Sequence, residues 1–172
     1  MRNNIDFIKF AKSVVGHPYI YGTYGQILTE TIINQKGRDY PSQMTKSRCE
    51  YAKAHYVGKT TFDCSGLSKA FIWGMPEQAP KYDPNTDWNA KGIYDRAKEK
   101  GTMDTFPRNI VGVCLFNKTF SHIAYWDGSK VVEAKGFDFG VVEGKTNLSY
   151  FTYWAKHPLI EYLESPTAPS DN

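Results

Sequence analysis

The hydrophobic pattern changes period near residue 110, dividing the chain into a helical first part and an extended second part. Ile5, Ile8, Ala11, Val14 and Val15 recur at helical spacing over residues 5–15, with Asn3 or Asn4 placed to cap the start and Gly16 to end the run. His17 to Gly22 then reads as a turn. Residues 26–36 and 43–56 predict two short helices joined through Gly37 and Pro41, and residues 63–73 a stronger one stopped by Gly74 and Pro76. Residues 76–89, rich in Pro, Asp and Asn, predict a loop, after which Asp87 is placed to cap a helix over 88–100 that Gly101 ends. Beyond it, 111–116, 122–126, 130–134 and 139–142 predict four successive strands. A short helix near 147–155 and a last strand around 158–163 complete the pattern. Helices followed by an antiparallel meander predict one α+β domain with segregated elements over residues 1–164. Residues 165–172 read as a flexible tail or the start of a linker.

Composition adjusts this picture only slightly. At 172 residues, with 41% hydrophobic and 23% charged residues, the chain is long enough for one domain to bury its own core. Aromatic residues reach 15%, twelve of them tyrosines, which suits either core packing or a groove lined by amphipathic rings. The net charge of +3 comes without a dense Lys/Arg run or a nucleic-acid motif, so no nucleic-acid partner is expected. No stretch approaches the roughly 18 apolar residues of a membrane span, and membrane insertion is not expected. Asp6, Lys9 and Lys12 interrupt the first fifteen residues, leaving no apolar signal segment. Cys49, Cys64 and Cys114 form an odd set without paired spacing, which argues against a disulfide framework and for synthesis in a reducing cytoplasm. No His/Cys pair has ligand spacing, so neither zinc nor another cofactor is expected.

Of the three cysteines, Cys64 alone has an activating context. In Thr60-Thr61-Phe62-Asp63-Cys64-Ser65-Gly66-Leu67, Asp63 is placed as an N-cap and Cys64 falls in the first helical turn. Unpaired N–H groups and the helix dipole there favour a thiolate, and the same N–H groups can hold an oxyanion. Gly66 is expected to leave room for substrate to approach the backbone. Cys114, inside Val111 to Phe116, reads as core, and Cys49 sits in a polar helix with no activating neighbour.

His122 opens a predicted strand that ends at Trp126 before Asp127-Gly128. If that dipeptide is a two-residue hairpin loop, Trp126 pairs with Ser129 and His122 lies opposite Glu133. Glu133 is then expected to accept the Nδ1 hydrogen of His122, leaving Nε2 to face the thiol. A slip of one residue would instead send Glu133 to the other face. His17, His55 and His157 have no carboxylate placed by local geometry.

The chain resembles the NlpC-type cell-wall cysteine peptidases, a branch of the papain-like fold. The matching residues are Pro18-Tyr19-Ile20-Tyr21-Gly22, Asp63-Cys64-Ser65-Gly66-Leu67, Ser121-His122-Ile123-Ala124-Tyr125 and Val131-Val132-Glu133-Ala134. The resemblance implies a papain-like fold and hydrolysis of an amide in the stem peptide of bacterial peptidoglycan, commonly between D-glutamate and a diamino acid. It implies Cys64 as nucleophile, His122 as base and Glu133 as third member, with Tyr19, Asp63 and Ser65 contacting substrate. Many members have His, Asn or Gln where this chain has Glu133, and related wall amidases use glutamate. An N-acetylmuramoyl-L-alanine amidase is therefore an alternative, as is a non-catalytic wall-binding module that kept the fold. The stretch between Gly25 and Thr60 is longer than in compact members. Without an apolar leader, the chain also looks similar to phage endolysins that reach the wall through a holin pore, with a C-terminal wall-binding module as a possible partner.

Overall fold

The computed structural model describes residues 2–164; the predicted tail lies outside the described residues. Helix α1 (Asn4–Ser13) starts where the pattern predicts. Asn3 is its cap, accepting the Asp6 N–H, and Phe7, Ile8, Phe10 and Ala11 turn inward. Strand β1 (Tyr24–Ile27) follows, then helices α2 (Glu30–Asp39) and α3 (Lys46–His55), capped by Thr29 and Thr45. Strand β2 (Thr60–Phe62) pairs antiparallel with β1 through an irregular register. The helix expected from residue 26 is thus a strand as far as Ile27, and the helical insertion lies between two paired strands.

Helix α4 (Gly66–Ile72) carries the nucleophile segment at its start, and α5 (Ala90–Arg96) is shorter than expected at both ends. Asn89 caps α5 by accepting the Gly92 N–H, whereas Asp87, the predicted cap, pairs with Lys69 at 2.5 Å. Strand β3 (Lys100–Thr102) begins at the last residue of the predicted helix and runs through Gly101, where only its end was expected. Strands β4 (Cys114–Phe116), β5 (Ile123–Trp126), β6 (Val131–Ala134) and β7 (Val141–Glu143) form the predicted meander. The helix expected near 147–155 is a 3₁₀ turn (Leu148–Tyr150) followed by strand β8 (Tyr153–Ala155). Around 158–163, where a strand was expected, Glu161 makes only an isolated bridge to Asn3. The resulting antiparallel sheet has the order β3-β8-β4-β5-β6-β7.

Both faces of this sheet are covered. Ile123 and Tyr125 of β5, with Val132 and Ala134 of β6, meet α1 and α4 in one core. Ala124, Trp126 and Val131 face a second core with Phe106, Leu115, Phe151 and Trp154. A third small core, built on Ile20, Leu28, Ile33, Met44 and Ala52, joins α2 and α3 to the body. The α+β architecture of the sequence reading holds, with α4 packed across the strand that follows His122.

Candidate active site

Cys64 lies in the turn that leads into α4 rather than in the helix itself, whose flanking residue is Ser65, and Asp63 closes that turn. Its Oδ1 accepts the Gly66 N–H at 2.7 Å and its carbonyl accepts the Leu67 N–H at 3.2 Å. Its Oδ2 accepts the Gly22 N–H at 2.8 Å, so one carboxylate ties the nucleophile turn to the tyrosine-rich turn. Burial pushes the Asp63 carboxyl above its ordinary value, opposed by the Lys69 charge and the two N–H groups. Gly66 has a different reason from the one expected. A Cβ there would stand 1.9 Å from the Thr23 carbonyl oxygen, so the residue admits the neighbouring backbone rather than substrate.

The strand β5 holds Cys64 at two points. The Tyr125 hydroxyl donates to the Cys64 carbonyl at 3.0 Å and lies 2.9 Å from Ser68 Oγ. At the sulfur, the backbone N–H groups of Ile123 and Ser65 favour the thiolate. They are outweighed. Burial, and then the Asp63 charge, push the Cys64 thiol up to about 12, against the lowering that a place in the first helical turn predicts. Tyr19 packs beside it, half-buried, with its hydroxyl also pushed up by burial and by the charges of Cys64 and Asp63. Ser65 is buried, and its carbonyl accepts the Ser68 hydroxyl at 3.0 Å. Of the other cysteines, Cys114 is fully buried in the main core, and Cys49 packs against the α2–α3 core with its thiol 3.5 Å from the Met44 carbonyl.

His122 and Glu133 meet, though by a different register. Tyr125 pairs with Val132 and Trp126 with Val131, which sets Glu133 opposite Ala124 rather than His122. The loop has four residues, not two, because Asp127 turns back on it: Oδ1 accepts the Ser129 N–H at 2.8 Å and the Lys130 N–H at 2.5 Å. The displacement is two residues, an even number, so Glu133 stays on the face of His122 and reaches it diagonally. Glu133 Oε1 is 3.3 Å from His122 Nε2, with the two side chains 2% and 14% exposed. The ring is therefore turned the other way from expectation: Nε2, not Nδ1, is the nitrogen beside the carboxylate, in an ion-pair contact without hydrogen-bond geometry.

Two supports for this pair had no sequence signal. The Thr146 hydroxyl donates to Glu133 Oε1 at 3.0 Å, from a loop that no periodicity marks. Asn117 accepts the His122 N–H on Oδ1 at 3.0 Å and donates from Nδ2 to Ser121 at 2.7 Å, clamping the approach to β5. Within that clamp Phe120 has φ +55°, a conformation uncommon outside glycine, and its ring stacks on Tyr153 at 4.7 Å. The structure thus gathers Cys64, Tyr19, Asp63 and Ser65 on one side and His122 with Glu133 on the other. The His122–Ile123 peptide joins the two groups.

A cavity of about 1200 Å³ opens over Cys64, lined by rings that include Tyr19, Tyr21, Tyr24, Tyr82, Trp88 and Phe137. This is the aromatic groove that the tyrosine content allowed for. Among the described residues no group of three or more His, Cys, Asp or Glu side chains could hold a metal ion.

By sequence alone, no family model and no curated protein matches the chain. Solved structures do. The P60 domain of an antigen from M. avium subspecies paratuberculosis aligns over 92% of this chain and 96% of its own, at 19% identity and a TM-score of 0.54. The peptidoglycan hydrolase RipB from Mycobacterium tuberculosis aligns over 92% of this chain and 66% of its own, at 19% identity and a TM-score of 0.53. A variant of the Resuscitation Promoting Factor interacting protein RipA aligns over 88% and 60%, at 20% identity and a TM-score of 0.51. The chain spans about two thirds of the RipB chain and less of the RipA chain. At such identities the likeness is one of architecture: the chain has the papain-like fold of the NlpC/P60 domains.

Proposed function

We propose that this chain is a cysteine-dependent peptidoglycan hydrolase that cuts an amide bond in the stem peptide, between D-glutamate and a diamino acid. One observation carries the reading: the strand that brings the Ile123 N–H to the Cys64 sulfur begins directly after His122, whose Nε2 faces a buried carboxylate. A polar, ring-lined groove over that cysteine suits an extended peptide, and the architecture is shared with a structure described as a peptidoglycan hydrolase.

In this reading the Cys64 thiol is protonated at rest and gives its proton to His122 Nδ1 as sulfur attacks the carbonyl carbon. The S–C bond forms, the C–N bond breaks, and the proton passes from His122 to the leaving amine. Neutral His122 then takes a proton from water, whose oxygen displaces sulfur from the thioester, and returns that proton to sulfur. Glu133 holds the ring and stabilises it while charged. Tyr19, Asp63 and Ser65 shape the subsite beside the sulfur.

The test is wall lysis by purified wild-type and Cys64→Ala protein, with mass spectrometry of the soluble products. New termini at a D-glutamyl bond with wild type, and none with the variant, are expected. Lysis by Cys64→Ala would refute the thioester route, and release of intact stem peptides from muramic acid would make the chain an amidase.

A further inference from the structure

The insertion α2–α3 is seated directly on the nucleophile region. The Lys36 stem and the Tyr40 ring cover Gly22, where a Cβ would stand 3.2 Å from Lys36 Cδ and 2.9 Å from Tyr40 Cε2. Gly22 is the residue whose N–H holds Asp63, so Lys36 packs on the same wall of the cavity that Cys64 lines. From α3, Arg48 lines the same cavity. Its guanidinium lies over the Phe137 ring, 5.1 Å from the centroid, and donates from Nη1 to the Gln43 carbonyl at 2.9 Å. Lys36 Nζ lies 5.7 Å from the Tyr40 ring centroid. The charge of Lys36 is felt at Asp63 and that of Arg48 at Tyr19, which places both cations on the Cys64 side of the groove.

What distinguishes these two cations is their lack of a counter-charge. Lys69, also in the groove, pairs with Asp87, and Arg96 is exposed. Lys36 and Arg48 are half-buried, and among the described residues neither has a carboxylate within ion-pair distance. The groove's other acids do not answer them. Asp63 is held by backbone N–H groups, and Asp39 and Asp138 are exposed in solvent. A partly desolvated cation without a partner is costly, and the cost is recovered when an anion arrives with the ligand. An arginine fork already steered by an aromatic ring and a carbonyl is suited to a planar carboxylate.

We propose that Lys36 and Arg48 form an anion subsite that takes a free carboxylate of the stem peptide, so that the groove selects acidic over amidated peptides. This rests on the stem-peptide reading above. The carboxylate is that of the D-glutamyl residue or that of the diamino acid, and the same experiment separates them.

Binding is measured by calorimetry on Cys64→Ala protein, which does not turn the ligand over, with three synthetic stem peptides. One is fully acidic, one amidated at the glutamyl carboxyl and one amidated at the diamino-acid carboxyl. The acidic peptide is expected to bind about tenfold or more tightly than one amidated form, as a charge-assisted pair provides. Lys36→Gln and Arg48→Gln, each added to Cys64→Ala, should each remove much of that preference and leave the weaker peptide's affinity within about twofold. Equal binding of all three peptides, or a preference that survives both substitutions, overturns the subsite while leaving the hydrolase reading intact. Failure of every peptide to bind overturns the stem-peptide reading and the subsite with it.

Discussion

Replacing Glu133 separates charge from shape in the proposed reaction. Its carboxylate is 3.3 Å from His122 Nε2 and almost fully buried, with Thr146 donating to the oxygen that faces the ring. At that separation the attraction between an imidazolium and a carboxylate is about 5 kcal/mol for an effective dielectric of 20, and the partial exposure of His122 lowers it. In the proposed reaction the imidazolium forms as His122 takes the thiol proton, so the loss falls on the transition state rather than on substrate binding. Glu133→Ala removes both the charge and the acceptor and should lower kcat about 10²- to 10³-fold with little change in KM. Glu133→Gln keeps a neutral oxygen dipole beside the ring but loses the charge, so it should fall by about tenfold or more, yet less far than Glu133→Ala. The assay is steady-state cleavage of a soluble stem peptide, with thermal melts to confirm that each variant is folded. Folded Glu133→Ala protein working within twofold of wild type would remove the carboxylate from the mechanism. Equal losses in the two variants would show that charge, and not orientation, is its contribution.

Two further outcomes follow from titration. With the Cys64 thiol held near 12, chiefly by burial, its alkylation by iodoacetamide should keep rising from pH 7 to pH 10; a plateau below pH 8 would mean a thiolate already present at rest. His157 is buried, its Nδ1 accepts the Leu159 N–H at 3.1 Å, and burial lowers its pKa from 6.5 to about 3, so unfolded chains bind the proton more readily between those values. Stability is therefore full above pH 6.5 and falls by roughly 3 kcal/mol between pH 7 and pH 4 in urea titrations, a fall that should shrink in His157→Asn and that equal slopes in both proteins would refute.

How much of this was legible in the chain depends on the distance over which each feature is decided. Helix α1 and the turn that Asp63 closes rest on contacts within four residues, and both are where the pattern puts them. Strands β1 and β2 were missed. They are three or four residues long and irregularly paired across the insertion, so no periodicity builds up in either. The cap of α5 moved from Asp87 to Asn89 because Lys69, eighteen residues away, claims Asp87. Strand β8 needs β3 and β4 on either side to be a strand at all, and neither neighbour is adjacent in sequence. Thr146, Lys36 and Arg48 meet their surroundings across the fold, and Asn117, though only five residues from His122, lies in a loop that carries no periodic signal.

The two errors at the site have different consequences. The hairpin register was wrong by two residues because Asp127 lengthens the turn with its own carboxylate, yet a shift of two preserves the face of every side chain. Glu133 therefore reaches His122 by a diagonal instead of a direct opposition, and from that direction it meets Nε2. The thiol is the deeper case. A capped helix start pulls its pKa down through N–H groups that the chain order reveals, whereas burial pushes it up through packing that only the fold reveals, and here burial is the larger. In the proposed reaction sulfur is protonated at rest, and proton transfer to His122 is part of the attack itself. That makes the stability of the charged imidazole, and hence the buried Glu133, more important to this site than it would be to one with a preformed thiolate.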